Sequence, residues 1–186
     1  VPFIWMISTS LKAPAGIFAT PPALIPSPVI FDAYREAVFG DPDVVRAIGT
    51  SLVISTGTML LTLALAAPAA YGLARLQLPG GAVVLLLLLI SQLLPSIVIA
   101  GPLFVLFTRL QLVNSYLGLI LADTTLTLPF AVIVLRPFFL GVPRDLEAAA
   151  LVDGASRWGS FFRITLPLVR AGLVTVAAFS FLFVCG

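Results

Sequence analysis

The chain has 186 residues, of which 60% are hydrophobic and only 10% charged, with a formal net charge of +2 and a mean hydropathy of +1.17. Soluble domains carry about a quarter charged residues, so this chain cannot cover its own surface in water and reads as an integral membrane protein. There is no histidine, Cys185 is the one cysteine and Lys12 the one lysine. That excludes an intrachain disulfide, His-dependent nucleophilic catalysis, an imidazole metal site and a lysine-containing phosphate loop.

In chain order, "VPFIWMI" (1–7) looks like the tail of a span. The stretch 8–45 is proline-rich and is expected to run as an external surface loop, with a short amphipathic helix at 32–41. A membrane core of ~30 Å takes about 20 apolar residues as a helix. Three stretches meet that length, 47–74, 81–107 and 117–140. The apolar run 171–186 is shorter and has no polar flank, which suggests a fragment of a longer chain, incomplete at both ends. Barrel strands alternate apolar and polar residues, whereas 82–107 is apolar almost throughout. The fold class expected is therefore all-α, a polytopic transmembrane helix bundle.

Pro68, Pro95, Pro102 and Pro129 lie inside the spans, where each removes a backbone hydrogen bond and is expected to kink its helix. The run "ALAAPAAYGLA" (64–74) is rich in small residues that let helices approach closely. A tightly packed, kinked bundle and a set of hinges along a gated path both fit these features. Arg75, Arg136, Arg144, Arg157, Arg163 and Arg170 fall on one side, against Lys12, Arg35, Arg46 and Arg109 on the other. Basic residues concentrate on the cytoplasmic face, so 141–170 is expected inside the cell and 8–45 outside.

Between the last two apolar runs lies "EAAALVDGASRWGSFFRITLP" (147–167). Pro143 and Asp145 suit a helix start, Gly154 suits a left-handed stop, and Ser156 suits the cap of a second helix. In an ideal α-helix Trp158, Phe161, Phe162 and Thr165 would share one face. Periodicity alone leaves two readings of this helical hairpin. It is either an interfacial anchor in the lipid headgroups or a plug for a groove on a soluble partner.

The same stretch resembles the cytoplasmic loop of permease subunits of binding-protein-dependent ABC importers. That loop carries E-A-A, three residues, G, nine residues and I-x-L-P. Here Gly154 is followed nine residues later by Ile164, Thr165, Leu166 and Pro167, and Asp153, Gly154, Ala155 and Ser156 have the form common in carbohydrate-uptake members. The E-A-A positions are occupied by Ala148, Ala149 and Ala150, with Glu147 one place earlier. The resemblance extends over the whole chain, including "LLPSIVIAGPLFVLFTRLQLVNSYLGL" (93–119), and the chain resembles the second permease of maltose-type and glycerol-phosphate-type systems.

The resemblance implies a type I importer (MetI-like) fold of about six spans. It implies a homologous permease partner, two ATPase subunits that bind the ATP and magnesium, and an extracytoplasmic solute-binding protein. The chain itself would be no enzyme, would bind no cofactor, metal or nucleic acid, and would sit among lipids as a multi-pass protein of the cytoplasmic (inner) membrane. The hairpin becomes a coupling helix docked on an ATPase. Glu147, Ala148, Ala149, Ala150, Asp153, Gly154, Ala155, Trp158, Phe161, Phe162, Ile164, Leu166 and Pro167 are then candidates for coupling. Glu147, displaced from the motif position, is expected to be individually dispensable.

Polar side chains inside the spans are few, and each is costly against lipid. Gln92, Ser96, Asp123, Thr124 and Thr127, with Thr125 beside them, are therefore candidates for a path carrying a sugar or polyol. The alternative is that Asp123 bonds a neighbouring helix and the threonines bond their own backbone. A secondary transporter, a membrane enzyme and a purely structural membrane subunit are the rival functions. One carboxylate in three spans argues against the first, the lack of a nucleophile–base spacing against the second, and the hairpin against the third.

Overall fold

The computed structural model describes residues 2–18, 20, 24–25, 27–35, 40–76 and 79–185. The chain divides into two units, Val1–Thr50 and Ser51–Gly186. In the first, α1 (Pro2–Ser10), α2 (Pro14–Ile17) and α3 (Asp32–Arg35) are short helices. The Ser8 hydroxyl donates to the Leu24 carbonyl at 2.6 Å, Tyr34 donates to Ser10 Oγ at 2.7 Å, and Lys12 Nζ lies 4.8 Å from the Trp5 ring centre. The helix expected at 32–41 is described only as α3, Gly40 and Asp41, since 36–39 lie outside the described residues.

Helix α4 spans Pro42–Arg75 and α7 spans Tyr116–Gly141; both are long and apolar enough to cross a membrane. Between them lie α5 (Gly81–Leu93) and α6 (Ser96–Arg109). After α7 come α8 (Arg144–Val152), α9 (Arg157–Ser160), a π-helical turn (Phe161–Thr165), α10 (Leu166–Leu168) and α11 (Arg170–Cys185). From Ser51 onward α4 runs parallel to α7. Gly57 meets Ile120, the Thr62 and Thr127 hydroxyls are 2.8 Å apart, and Arg75 reaches Val142. Helix α11 runs the other way along α7, with Phe179 against Phe130 and Gly172 against Phe138.

The expected span 81–107 is interrupted at Pro95, the site of an expected kink. It is two helices that meet at 101° across Leu94 and Pro95. Pro95 cannot donate to the carbonyl a turn earlier, and its ring pushes Leu94 into extended backbone (ψ 127°). Pro68, Pro102, Pro129 and Pro137, by contrast, lie inside helices that continue past them. Ala66, Ala67, Ala70 and Ala74 of α4 are buried in one core cluster with Ala131, Val132, Leu135 and Phe139 of α7, and the alanines are small residues that suit close helix approach.

Gly154 and Gly118 show why glycine is required at particular places in this unit. Gly154 has φ +87° and open space around it, so it turns the chain between α8 and α9 at no steric cost. Gly118 sits against the Leu112 carbonyl so closely that a Cβ would stand 2.1 Å from the oxygen. Its amide donates to Ser115 Oγ at 3.0 Å, which caps the start of α7.

Candidate coupling site and path

The hairpin forms as the sequence suggests at its turn and its second cap. Gly154 ends α8, and Ser156 Oγ accepts from the Gly159 amide at 3.1 Å. At its start Pro143 precedes α8 with no side-chain cap, and Asp145 lies in the first turn, where its charge favours the helix end.

The aromatic stripe is corrected too. Phe161–Thr165 form a π-helical turn closed by the Leu166 amide donating to the Phe161 carbonyl, five residues back. The wider turn rotates successive side chains off the α-helical stripe. Phe161 and Thr165 turn inward, 2% and 0% exposed, while Trp158 and Phe162 stay outside at 62% and 57%. Phe161 stacks into the bundle, 4.8 Å from the Tyr71 ring and 6.2 Å from Phe139. Trp158 and Phe162 stack on each other at 6.0 Å. They line an apolar groove of about 310 Å³ whose opposite wall is Leu63, Ala64, Ala67 and Pro68 of α4. Of the other candidates, Ala148, Ala149, Asp153, Gly154 and Pro167 are exposed, Ala155, Ile164 and Leu166 are half-buried, and Ala150 is buried.

Glu147 faces the bundle. Its Oε1 accepts from Arg75 Nε at 2.9 Å and from Thr165 Oγ1 at 3.2 Å, and its Oε2 accepts from the Tyr71 hydroxyl at 3.0 Å. A second nitrogen of Arg75 donates to the Val142 carbonyl at 2.6 Å. The ends of α4 and α7 and both arms of the hairpin therefore meet at one ion pair. Sequence reasoning missed Arg75 and Tyr71. The available signal was an arginine closing an otherwise uncharged 29-residue stretch, 47–75, since a cation in that position needs an anion on the same side.

The path candidates are not brought together. Gln92 and Ser96 line a cavity of about 520 Å³ with Ser91, Thr125, Pro129, Phe179 and Phe183. Thr124 and Thr127 are buried away from that cavity lining, 4% and 1% exposed. Their hydroxyls donate to the Ile120 and Asp123 carbonyls at 2.6 and 3.0 Å, and Thr127 also meets Thr62. Thr125 likewise donates to the Leu121 carbonyl at 2.8 Å. The threonines thus bond their own helix, as the alternative reading had it. Asp123 is half-buried and is not part of the cavity wall.

With this geometry in view, comparison with known proteins gives a clear family. The profile of the binding-protein-dependent transport system inner membrane component matches residues 63–186. The chain belongs to that family. This permease is 37% identical to a trehalose transport system permease of Mycobacterium tuberculosis, over 98% of the chain and 66% of the relative. It is 35% identical to a sulfoquinovosyl glycerol transport system permease of Agrobacterium fabrum, over 97% and 63%. It is 34% identical to a diacetylchitobiose uptake system permease of Streptomyces coelicolor, over 98% and 60%. The permease chain thus spans 60–66% of the length of these curated relatives. It is a multi-pass helical protein of the inner membrane. The matched region includes the Arg75–Glu147 node, the hairpin and both cavities described above.

Proposed function

We propose that this chain is a permease subunit of an ATP-driven importer, that it forms part of a path for a sugar or related polyol, and that the hairpin docks on a separate cytoplasmic ATPase. The observation that carries the reading is the hairpin's two-sidedness. One side is fastened to α4 and α7 through Glu147, Phe161 and Thr165. The other leaves Ala148, Ala149, Leu151 and Val152 exposed, with Val152 at 88%. A short helix that is small and apolar outward, beside a glycine turn, fits a cleft on a soluble protein and resists rotation within it.

ATP and magnesium belong to the ATPase in this reading. A homologous permease completes the pathway, and an extracytoplasmic binding protein delivers the substrate. The carbohydrate class is supported by the relatives named for trehalose, sulfoquinovosyl glycerol and diacetylchitobiose transport. It is also supported by a cavity that combines neutral polar groups (Gln92, Ser96, Thr125) with phenyl rings (Phe179, Phe183). Neutral donors and acceptors beside an apolar wall suit uncharged polyhydroxyl ligands.

Co-purification tests the reading. The full-length permease should carry an ATPase subunit through purification, and Val152→Asp should release it while the permease stays folded. A permease that retains the same ATPase with Val152→Asp, or that carries none without it, would remove the docking assignment.

A further inference from the structure

We infer that Glu147 is a positioning residue rather than an ATPase contact, and that its pair with Arg75 is the joint by which the hairpin is held in register with α4. The inference rests on the reading of the hairpin as the ATPase dock. It adds which residue transmits the motion, and to which helix.

Three observations lead there. The pair is sequestered, with side-chain exposures of 7% for Arg75 and 14% for Glu147, so neither group is free to reach a soluble protein. Both carboxylate oxygens are already engaged, and their donors come from α4 and from the π-helical turn. The first arm of the hairpin also has little else to hold it: the second arm is anchored by the buried Phe161 and Thr165, whereas the only buried residue of α8 is Ala150. One alanine cannot fix the rotation of a nine-residue helix about its own axis. A charge pair with defined directions can.

The surroundings strengthen the pair. Tyr71, Phe139 and Phe161 form an aromatic cluster beside it, with Tyr71 and Phe139 5.7 Å apart and tilted edge to face. Limited water makes the attraction directional and makes an unpaired member costly. Arg75 further ties the α4 end to the Val142 carbonyl, immediately after α7. A push on α8 is therefore delivered to α4 and α7 together, while the outward face of α8 remains free to bind.

The test uses the full-length permease in its complex, with Cys185 replaced by serine and spin labels at Leu76 and Arg157, both solvent-facing sites. Arg75→Ala and Glu147→Ala should each broaden the distance distribution between the labels. In unlabelled complexes each should lower uptake roughly tenfold or more with the ATPase still bound. The double variant should be no worse than the poorer single one, because neither charge is then left alone. Glu147→Gln keeps the acceptor for Tyr71 and Thr165 and should broaden the distances less than Glu147→Ala. Unchanged distances in both single variants, or losses that add in the double, would overturn the joint. Failure of the parent complex to hold an ATPase would instead remove the docking reading and leave the distance result as the test of the joint.

Discussion

Thr62 of α4 and Thr127 of α7 share a hydrogen bond of 2.8 Å between two fully enclosed side chains, 65 residues apart in sequence. It fixes the lateral register of the two long spans near their middle, while Arg75 fixes their common end. In hydrocarbon such a bond contributes about 0.6–2 kcal/mol. Thr127→Val should lower the stability of the detergent-solubilised protein by about 1–3 kcal/mol, because the Thr62 hydroxyl is left without its cross-helix partner. Thr62→Val with Thr127→Val should recover most of the loss, since both polar groups are then removed together. Thermal unfolding midpoints of the three variants check this. A double variant as unstable as the sum of the singles would show that the hydroxyl pair is not the relevant contact.

The split of the aromatic stripe separates two kinds of effect. Phe161→Ala opens a void against Tyr71 and Phe139 and should destabilise the fold by about 3–5 kcal/mol. Phe162→Ala, at an exposed ring, should leave the unfolding midpoint nearly unchanged. If the hairpin docks on an ATPase through its outer surface, Phe162→Ala and Trp158→Ala are read instead by retention of that partner. Equal stability losses for Phe161→Ala and Phe162→Ala would contradict the inward and outward placement.

Gly154 has no neighbour within 4 Å of where a Cβ would stand, so the effect of Gly154→Ala is one of backbone alone. A left-handed alanine costs about 1–2 kcal/mol. The substitution should therefore loosen the α8–α9 turn without a packing defect, seen as faster protease nicking of the hairpin. Gly154→Asn, better tolerated at positive φ, should restore most of the resistance. No difference between alanine and asparagine would argue that the turn is not under this constraint.

For the path, Gln92→Ala and Ser96→Ala should weaken uptake several-fold with assembly intact, since both line the cavity. Thr124→Ala should act on stability and leave substrate affinity unchanged, because its hydroxyl bonds its own helix. Transport kinetics on reconstituted complexes distinguish the two. Loss of affinity in Thr124→Ala alone would move the path to the opposite face of α7.

Composition by itself determined that this chain is a membrane protein, because 10% charge cannot solvate the surface of 186 residues. Local chemistry determined the hairpin. Gly154 supplies its left-handed turn and Ser156 its cap, and neither depends on distant parts of the chain. Small residues at 64–74 pointed to close helix approach, and Ala66, Ala67, Ala70 and Ala74 are indeed buried. What the sequence left open depends on contacts between segments. A proline in lipid either bends a helix or is absorbed, and Pro95 breaks its span while Pro68 does not. The stripe Trp158, Phe161, Phe162 and Thr165 assumed an α-helical period, and the π-helical turn changed it locally. Glu147 reads as dispensable from the sequence because it is displaced from the motif position, while its partners Arg75 and Tyr71 lie more than 70 residues away. Only the folded arrangement of α4 beside α7 brings that arginine to the hairpin, and an ion pair has no periodicity from which it could be read.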